Sequence, residues 1–341
     1  MAGVTIPWDR IDRLWGRHGR TFWIFHSIWA LGTGVVILWL ARERYAFVYW
    51  VVGFLALTWA STLFFSRRLA EDDSAPLGTR FKHGLASYLT RVLYQETLFF
   101  LLPFYAYSTV LHAWNVAFVV LLAVLAILSC QDLVFDGWLR TSPVFSLVFF
   151  ASVAFGGLNL LLPMLLSADP SPSTPAAAVL ALATAAPLAM KARVDGAWAW
   201  MRVSAAGLAI FVVAVWLPQL VPPVPLRLQE IVFAAGLDRS TLEPARPVGD
   251  EVAGSELGGQ LVVLARVFAP VNVPARIALD WYRDGALVRS SREVEILAHE
   301  GGFRFWDVLR PQEGMLVPGV YRVVLRTTDD RVFGSASVDV R

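Results

Sequence analysis

Hydrophobic positions follow two patterns along this chain. Up to about residue 218 they form long runs; beyond about 227 they alternate with polar residues in short stretches. Seven runs, roughly 22–41, 46–65, 91–111, 114–131, 144–166, 176–190 and 198–218, approach the ~20 residues that a helix needs to cross a bilayer. The sixth is short, Ala-rich and broken by Pro187. Alanine lets helices approach closely, so this run is expected inside the bundle. Before the first run, residues 6–20 put Trp8, Ile11, Leu14 and Trp15 on one helical face and Arg10, Arg13 and Arg17 away from it. Two readings stay open there: a helix lying in the headgroup plane, or a basic tail that fixes topology.

In the second regime, Ile277, Leu279 and Trp281 alternate with Arg276 and Asp280. Tyr321, Val323 and Leu325 alternate with Arg322 and Arg326. Val332, Gly334, Ala336, Val338 and Val340 alternate with Arg331, Ser335, Ser337 and Asp339. Period two predicts half-buried strands. Asp284-Gly285 signals a tight hairpin, because both positions tolerate positive φ. Pro318-Gly319 and Asp329-Asp330 punctuate further strands. The fold expected is a membrane all-α bundle of about seven transmembrane helices, followed by an all-β, antiparallel, immunoglobulin-like sandwich. The division expected is a cytoplasmic amphipathic segment (1–21), the helical domain (22–218), a Pro/Gly-rich exit and linker with room for a first strand (219–260), and the sandwich (261–341).

Composition agrees with this. The chain is 57% hydrophobic with a mean hydropathy of +0.57, above the ~45–50% apolar content of soluble domains. Residues 1–226 hold 15 Lys+Arg and 11 Asp+Glu, and residues 227–341 hold 14 and 16. Neither half has the strong basic patch that nucleic-acid binding requires. The single cysteine, Cys130, allows no disulfide within the chain and no thiolate metal cluster. The first run is as long as a full span with no small-residue cleavage site after it, so it is expected to be retained. With seven spans, Arg10, Arg13, Arg17, Arg20, Arg67, Arg68, Arg80, Lys82, Arg91, Arg140, Lys191 and Arg193 fall on one side, against Arg42 and Arg44 on the other. The excess of positive charge then places the N-terminus in the cytoplasm and the C-terminal domain outside. Trp23, Trp138, Trp198 and Trp200 mark the inner interface, and Trp39, Trp50, Trp114 and Trp216 the outer one.

The stretch 261–341 carries Trp281-Tyr282 with Asp284-Gly285, Gly302 with Arg304, Pro318-Gly319-Val320-Tyr321-Arg322-Val323, and a closing strand through Gly334. On these residues it resembles a C-terminal domain of unknown function found on uncharacterised bacterial polytopic membrane proteins. Tyr94-Gln95-Glu96 and Leu102-Pro103-Phe104-Tyr105 look like the membrane segment that accompanies it. The resemblance implies an architecture and a bacterial inner-membrane location, with the sandwich periplasmic or extracellular. It implies no activity.

Within the runs, ionisable groups stand out because charge inside a bilayer is costly and usually partnered. His26, Glu96, Arg202, Asp132 and Asp136 are expected at one level near the cytoplasmic face. Such a cluster has three readings: a packing pair of Glu96 with Arg202, a vestibule that binds an anionic lipid or passes protons, or a metal-diphosphate site on Asp132 and Asp136. The last lacks the second acidic motif that such enzymes use. Span five puts Ser152, Gly156 and Asn159 on one face, where small residues allow close packing and Asn bonds across helices. In the β part no catalytic set, phosphate loop or calcium loop is spaced correctly, and no cofactor is expected. Phe303 and Trp306 form an aromatic stretch that is either core or a partner surface. The chain is thus read as a non-enzymatic anchor for an outward-facing sandwich, an accessory or scaffolding subunit for another envelope component. A lipid- or proton-handling protein and a lipid-modifying enzyme are the alternatives.

Overall fold

A computed structural model describes residues 93–341, except 167–169, 190–195, 239, 269–274, 297–301 and 312–314, and adds six single helical positions between 28 and 57. Apart from those six positions, the N-terminal segment and the runs 22–41 and 46–65 lie outside the described residues.

The described residues form six helices: α1 over 93–107, α2 (Val116–Ser129), α3 (Asp132–Thr141), α4 (Pro143–Leu166), α5 (Pro170–Ala189) and α6 (Ala197–Trp216). The expected seven-helix bundle is corrected here, because two of these six, α4 and α6, are long and apolar enough to cross a membrane. At 1.5 Å per residue α2 reaches about 21 Å, short of the ~30 Å hydrocarbon layer. The run 114–131 ends at Gln131, whose backbone leaves the helical region, and a separate helix α3 starts at Asp132.

α4 is the central helix, with a side chain buried at nearly every position from Ser146 to Leu161. α5 lies along it through Ala177, Ala181 and Ala185, all buried. These alanines recur every four residues and so line one face. α1 runs parallel to α4. Tyr94, at the start of α1, meets Phe150 edge-on at 4.9 Å, and the hydroxyl of Tyr105, near the end of α1, donates to the carbonyl of Gly156, further along α4. A Cβ on Gly156 would stand 3.1 Å from Leu101 Cδ1, so glycine sets how closely the two helices approach.

The β part has ten strands: β1 (Arg227–Asp238), β2 (Glu243–Pro247), β3 (Glu251–Val252), β4 (Leu261–Phe268), β5 (Arg276–Arg283), β6 (Ala286–Ser290), β7 (Val294–Glu295), β8 (Phe303–Leu309), β9 (Gly319–Thr327) and β10 (Val332–Val340). They form a four-stranded sheet, β2-β1-β4-β8, and a six-stranded sheet, β3-β10-β9-β5-β6 with β7 beside β5. The expected all-antiparallel, immunoglobulin-like sandwich is also corrected: β3 pairs β10 in parallel, and the strands begin at Arg227. The stretch 219–260, expected to be an exit and linker with room for a first strand, carries β1, β2 and β3. Pro244 and Pro247 hide β2 from a sequence reading, yet β2 is an edge strand, where a missing N–H costs no ladder bond.

Several local signals are seen in the strands. Ile277, Leu279, Trp281, Tyr321, Val323 and Leu325 are buried in the β core. Asp284 and Gly285 take positive φ in the β5–β6 turn, as does Asp330 between β9 and β10. The helical core ends on Val221 and Val224, and the β core begins with Leu226. One residue, Pro225, therefore separates the cores along the chain, with no free tether between them.

Candidate functional site at the junction of helices and sheets

The tip of the β9–β10 hairpin enters the helical body. Its turn is tied locally: the Thr327 backbone N–H donates to the Arg331 carbonyl at 3.1 Å, and the Arg331 N–H donates to Thr327 Oγ1 at 3.2 Å. The two aspartates of the turn serve opposite sides. Asp330 is bound outside by Arg326 at 3.0 Å, and Arg326 in turn donates to Asp280 at 2.6 Å. The hydrogen bond to Asp280 raises the Arg326 pKa above its ordinary value, against the opposing effect of burial. Asp329 serves the inside. Its Oδ2 accepts from Arg331 Nε at 2.7 Å and lies 2.5 Å from the terminal Nη2.

Arg331 is fully buried. Its other terminal nitrogen donates to Thr174 Oγ1 on α5 at 3.1 Å, and Thr174 donates to Asn159 Oδ1 on α4 at 2.8 Å. Asn159 donates from Nδ2 to the Tyr105 hydroxyl on α1 at 3.2 Å, and Tyr105 ends the chain on the Gly156 carbonyl at 2.8 Å. Every link donates away from the arginine, so the bond dipoles align with the field of the cation and reinforce one another. Four side chains from three helices and one hairpin thus share a single network. Asn159 sits in its middle, and a neutral amide neither gains nor loses a proton in ordinary conditions. The network therefore holds position and does not relay protons.

Two further contacts flank the network. Asn115 Nδ2 donates to the Val332 carbonyl at 2.5 Å and accepts from Thr109, and Ser108 Oγ donates to the Leu226 carbonyl at 2.5 Å. The Arg227 guanidinium lies 4.3 Å over the Tyr107 ring. The α1–α2 connection is thereby joined to the first residues of both β1 and β10.

With the geometry in view, comparison with known proteins places the chain. A model described as a family of unknown function, DUF5924, matches residues 7–258. The chain belongs to this family. No curated protein and no solved structure matches it. The DUF5924 match covers the helices and β1–β3 and stops before Leu261, so the C-terminal resemblance drawn from Trp281-Tyr282 onward concerns residues outside it.

In this DUF5924 chain the residues singled out from sequence lie elsewhere. His26 is outside the described residues. Glu96 is half-buried on α1, and Arg202 is exposed on α6. No ion pair joins Glu96 and Arg202 among the described residues. Asp132 and Asp136 are one turn apart on α3, with side chains outside the described set. No group of three His, Cys, Asp or Glu that could hold a metal occurs among the described residues. Phe303 is half-buried and packs on the β core, while Trp306 is 36% exposed on edge strand β8. Sequence reasoning missed Arg331, which reads as one more polar position in an alternating strand. Asn159 carried the available signal, a lone amide in an apolar helix.

Proposed function

We propose that the helical body sits in a membrane and holds the β part at its surface, as a fixed, non-enzymatic scaffold for another component of that surface. Helix α6 carries the membrane reading. Its 18-residue window has a mean hydropathy of 1.7, yet only 11% of it is buried within the protein. In water that helix would expose Trp198, Met201, Leu208 and Trp216 together, more apolar surface than soluble monomers usually leave open. Trp198 and Trp216 stand about 27 Å apart along the axis, which matches a hydrocarbon layer edged by aromatic side chains.

Charge supports an orientation. Lys191 and Arg193 precede α6 and Arg202 lies near its start, whereas the segment 217–226 that leaves α6 for β1 has no charged residue. The excess of positive charge marks the cytoplasmic side, so the β part lies on the opposite side. The Arg331 network supports a fixed scaffold, because it fastens the domain to three helices.

Alkaline carbonate washing of membranes tests the first point. Retention in the pellet is expected, and release into the supernatant would overturn the membrane reading. In a Cys130→Ala background, a membrane-impermeant thiol reagent on intact cells is expected to label Ser240→Cys but not Ala197→Cys. The reverse pattern would invert the orientation.

A further inference from the structure

Arg202 is a charged side chain that the network does not use. It sits on the exposed side of α6, whose apolar window is only 11% buried within the protein, four residues after Trp198, which is 71% exposed. Residues i and i+4 share a helical face. The opposite side of α6 is identified by Val203 and Ala214, both buried, and by Gly207, where a Cβ would lie 3.7 Å from Leu147 and 3.9 Å from Leu182. Arg202 therefore points away from the protein, and it makes no ion pair among the described residues. In hydrocarbon an unpartnered guanidinium is expensive. It lies about 7.5 Å from the start of α6. Helical side chains lean toward the N-terminus, so its long stem reaches back to the level of Trp198, where headgroups begin.

We propose that Arg202, flanked by Trp198, binds the phosphate of an anionic phospholipid at the α6 N-terminal end. This rests on the membrane reading above. Guanidinium and phosphate are matched in charge and in fork geometry, and Trp198 supplies an apolar wall at the glycerol level. Near an anionic surface one such contact corresponds to roughly five-fold enrichment of the anionic lipid.

The test is native mass spectrometry of full-length protein taken from vesicles of phosphatidylcholine and phosphatidylglycerol in equal parts. Wild type is expected to retain phosphatidylglycerol at roughly five times the phosphatidylcholine. Arg202→Gln should lose the excess, and Arg202→Lys should keep part of it. Unchanged thermal midpoints would show that the variants are folded, as expected for an exposed side chain. An excess that survives Arg202→Gln would overturn the proposal, as would its absence in wild type or its displacement by millimolar inorganic phosphate. Protein that fails to enter the vesicles at all would instead overturn the membrane reading, which keeps the two failures apart.

Discussion

Replacing Arg331 with methionine removes the buried cation from beside the largely buried Asp329 carboxylate and takes a donor from the buried Thr174. Breaking a buried ion pair on one side costs about 3–5 kcal/mol. Arg331→Met should lower unfolding free energy by that amount, measured by denaturant titration in detergent. A double variant, Arg331→Met with Asp329→Leu, should recover part of the loss, because two apolar groups leave no lone charge. A cost below about 1 kcal/mol for the single change would mean that the guanidinium is solvated. Asp238 offers a pH-dependent counterpart at the surface. The Ser240 hydroxyl at 2.6 Å and the Ser240 N–H at 2.8 Å both donate to its Oδ1 and lower its pKa below 3.8. A lowered folded-state pKa stabilises above the unfolded value and is lost as pH falls through the folded one. Ser240→Ala should therefore reduce the thermal midpoint at neutral pH, and the difference from wild type should vanish in acid below 3.8.

Among elements, β1 and β10 show a close approach with a defined cause. A Cβ on Gly334 would lie 2.5 Å from Leu228 Cδ2 and 3.2 Å from Leu228 Cβ. The second contact cannot be relieved by rotating a side-chain tip. Gly334→Ala is expected to cost about 1–3 kcal/mol by overpacking, and Leu228→Ala in the same chain should return part of it. An additive double variant would show that the strands do not press at this point. The same region explains what the sequence could and could not tell. Alternation in β9 is regular, and Tyr321 is buried as its period requires; β5 buries Trp281 as expected but also Ala278 and Asp280, so its burial is unbroken from Ile277 to Trp281. In β10 a register shift between Val332 and Gly334 breaks the period and brings Phe333 into the core. Period two treats Arg331 as solvent-facing, but the helices cover it. The run 114–131 stops close to the end of α2, but hydropathy does not show the separate short helix α3 that begins at Asp132. The network itself was almost illegible. Its four side chains are separated by up to 226 residues, and only packing brings Tyr105 and Arg331 into one chain of bonds.

At the scale of the molecule, the boundary of the family match and the boundary of the fold differ. The match ends at residue 258, yet β1 takes its inner neighbour β4 from beyond that point, and among the described residues β3 pairs only with β10. Leu226, Phe233, Val252 and Leu257 from the matched part share one core with Leu261, Trp281, Tyr321 and Val338 from outside it. A chain ending at 258 would leave β1 with an open edge, which invites aggregation, and would expose those four side chains. It would also lack Arg331 and leave Thr174 without that donor. Residues 1–258 alone are therefore expected to be protease-sensitive within 227–258 and prone to associate. Co-expression with residues 259–341 should restore resistance, and the two fragments should co-purify through a tag on either one. Arg331→Met in the smaller fragment should weaken that co-purification, because the hairpin then loses its hold on α5. If 1–258 alone resists protease as well as the intact chain does, residues 227–258 fold without the β1–β4 pairing, and that pairing is dispensable to them.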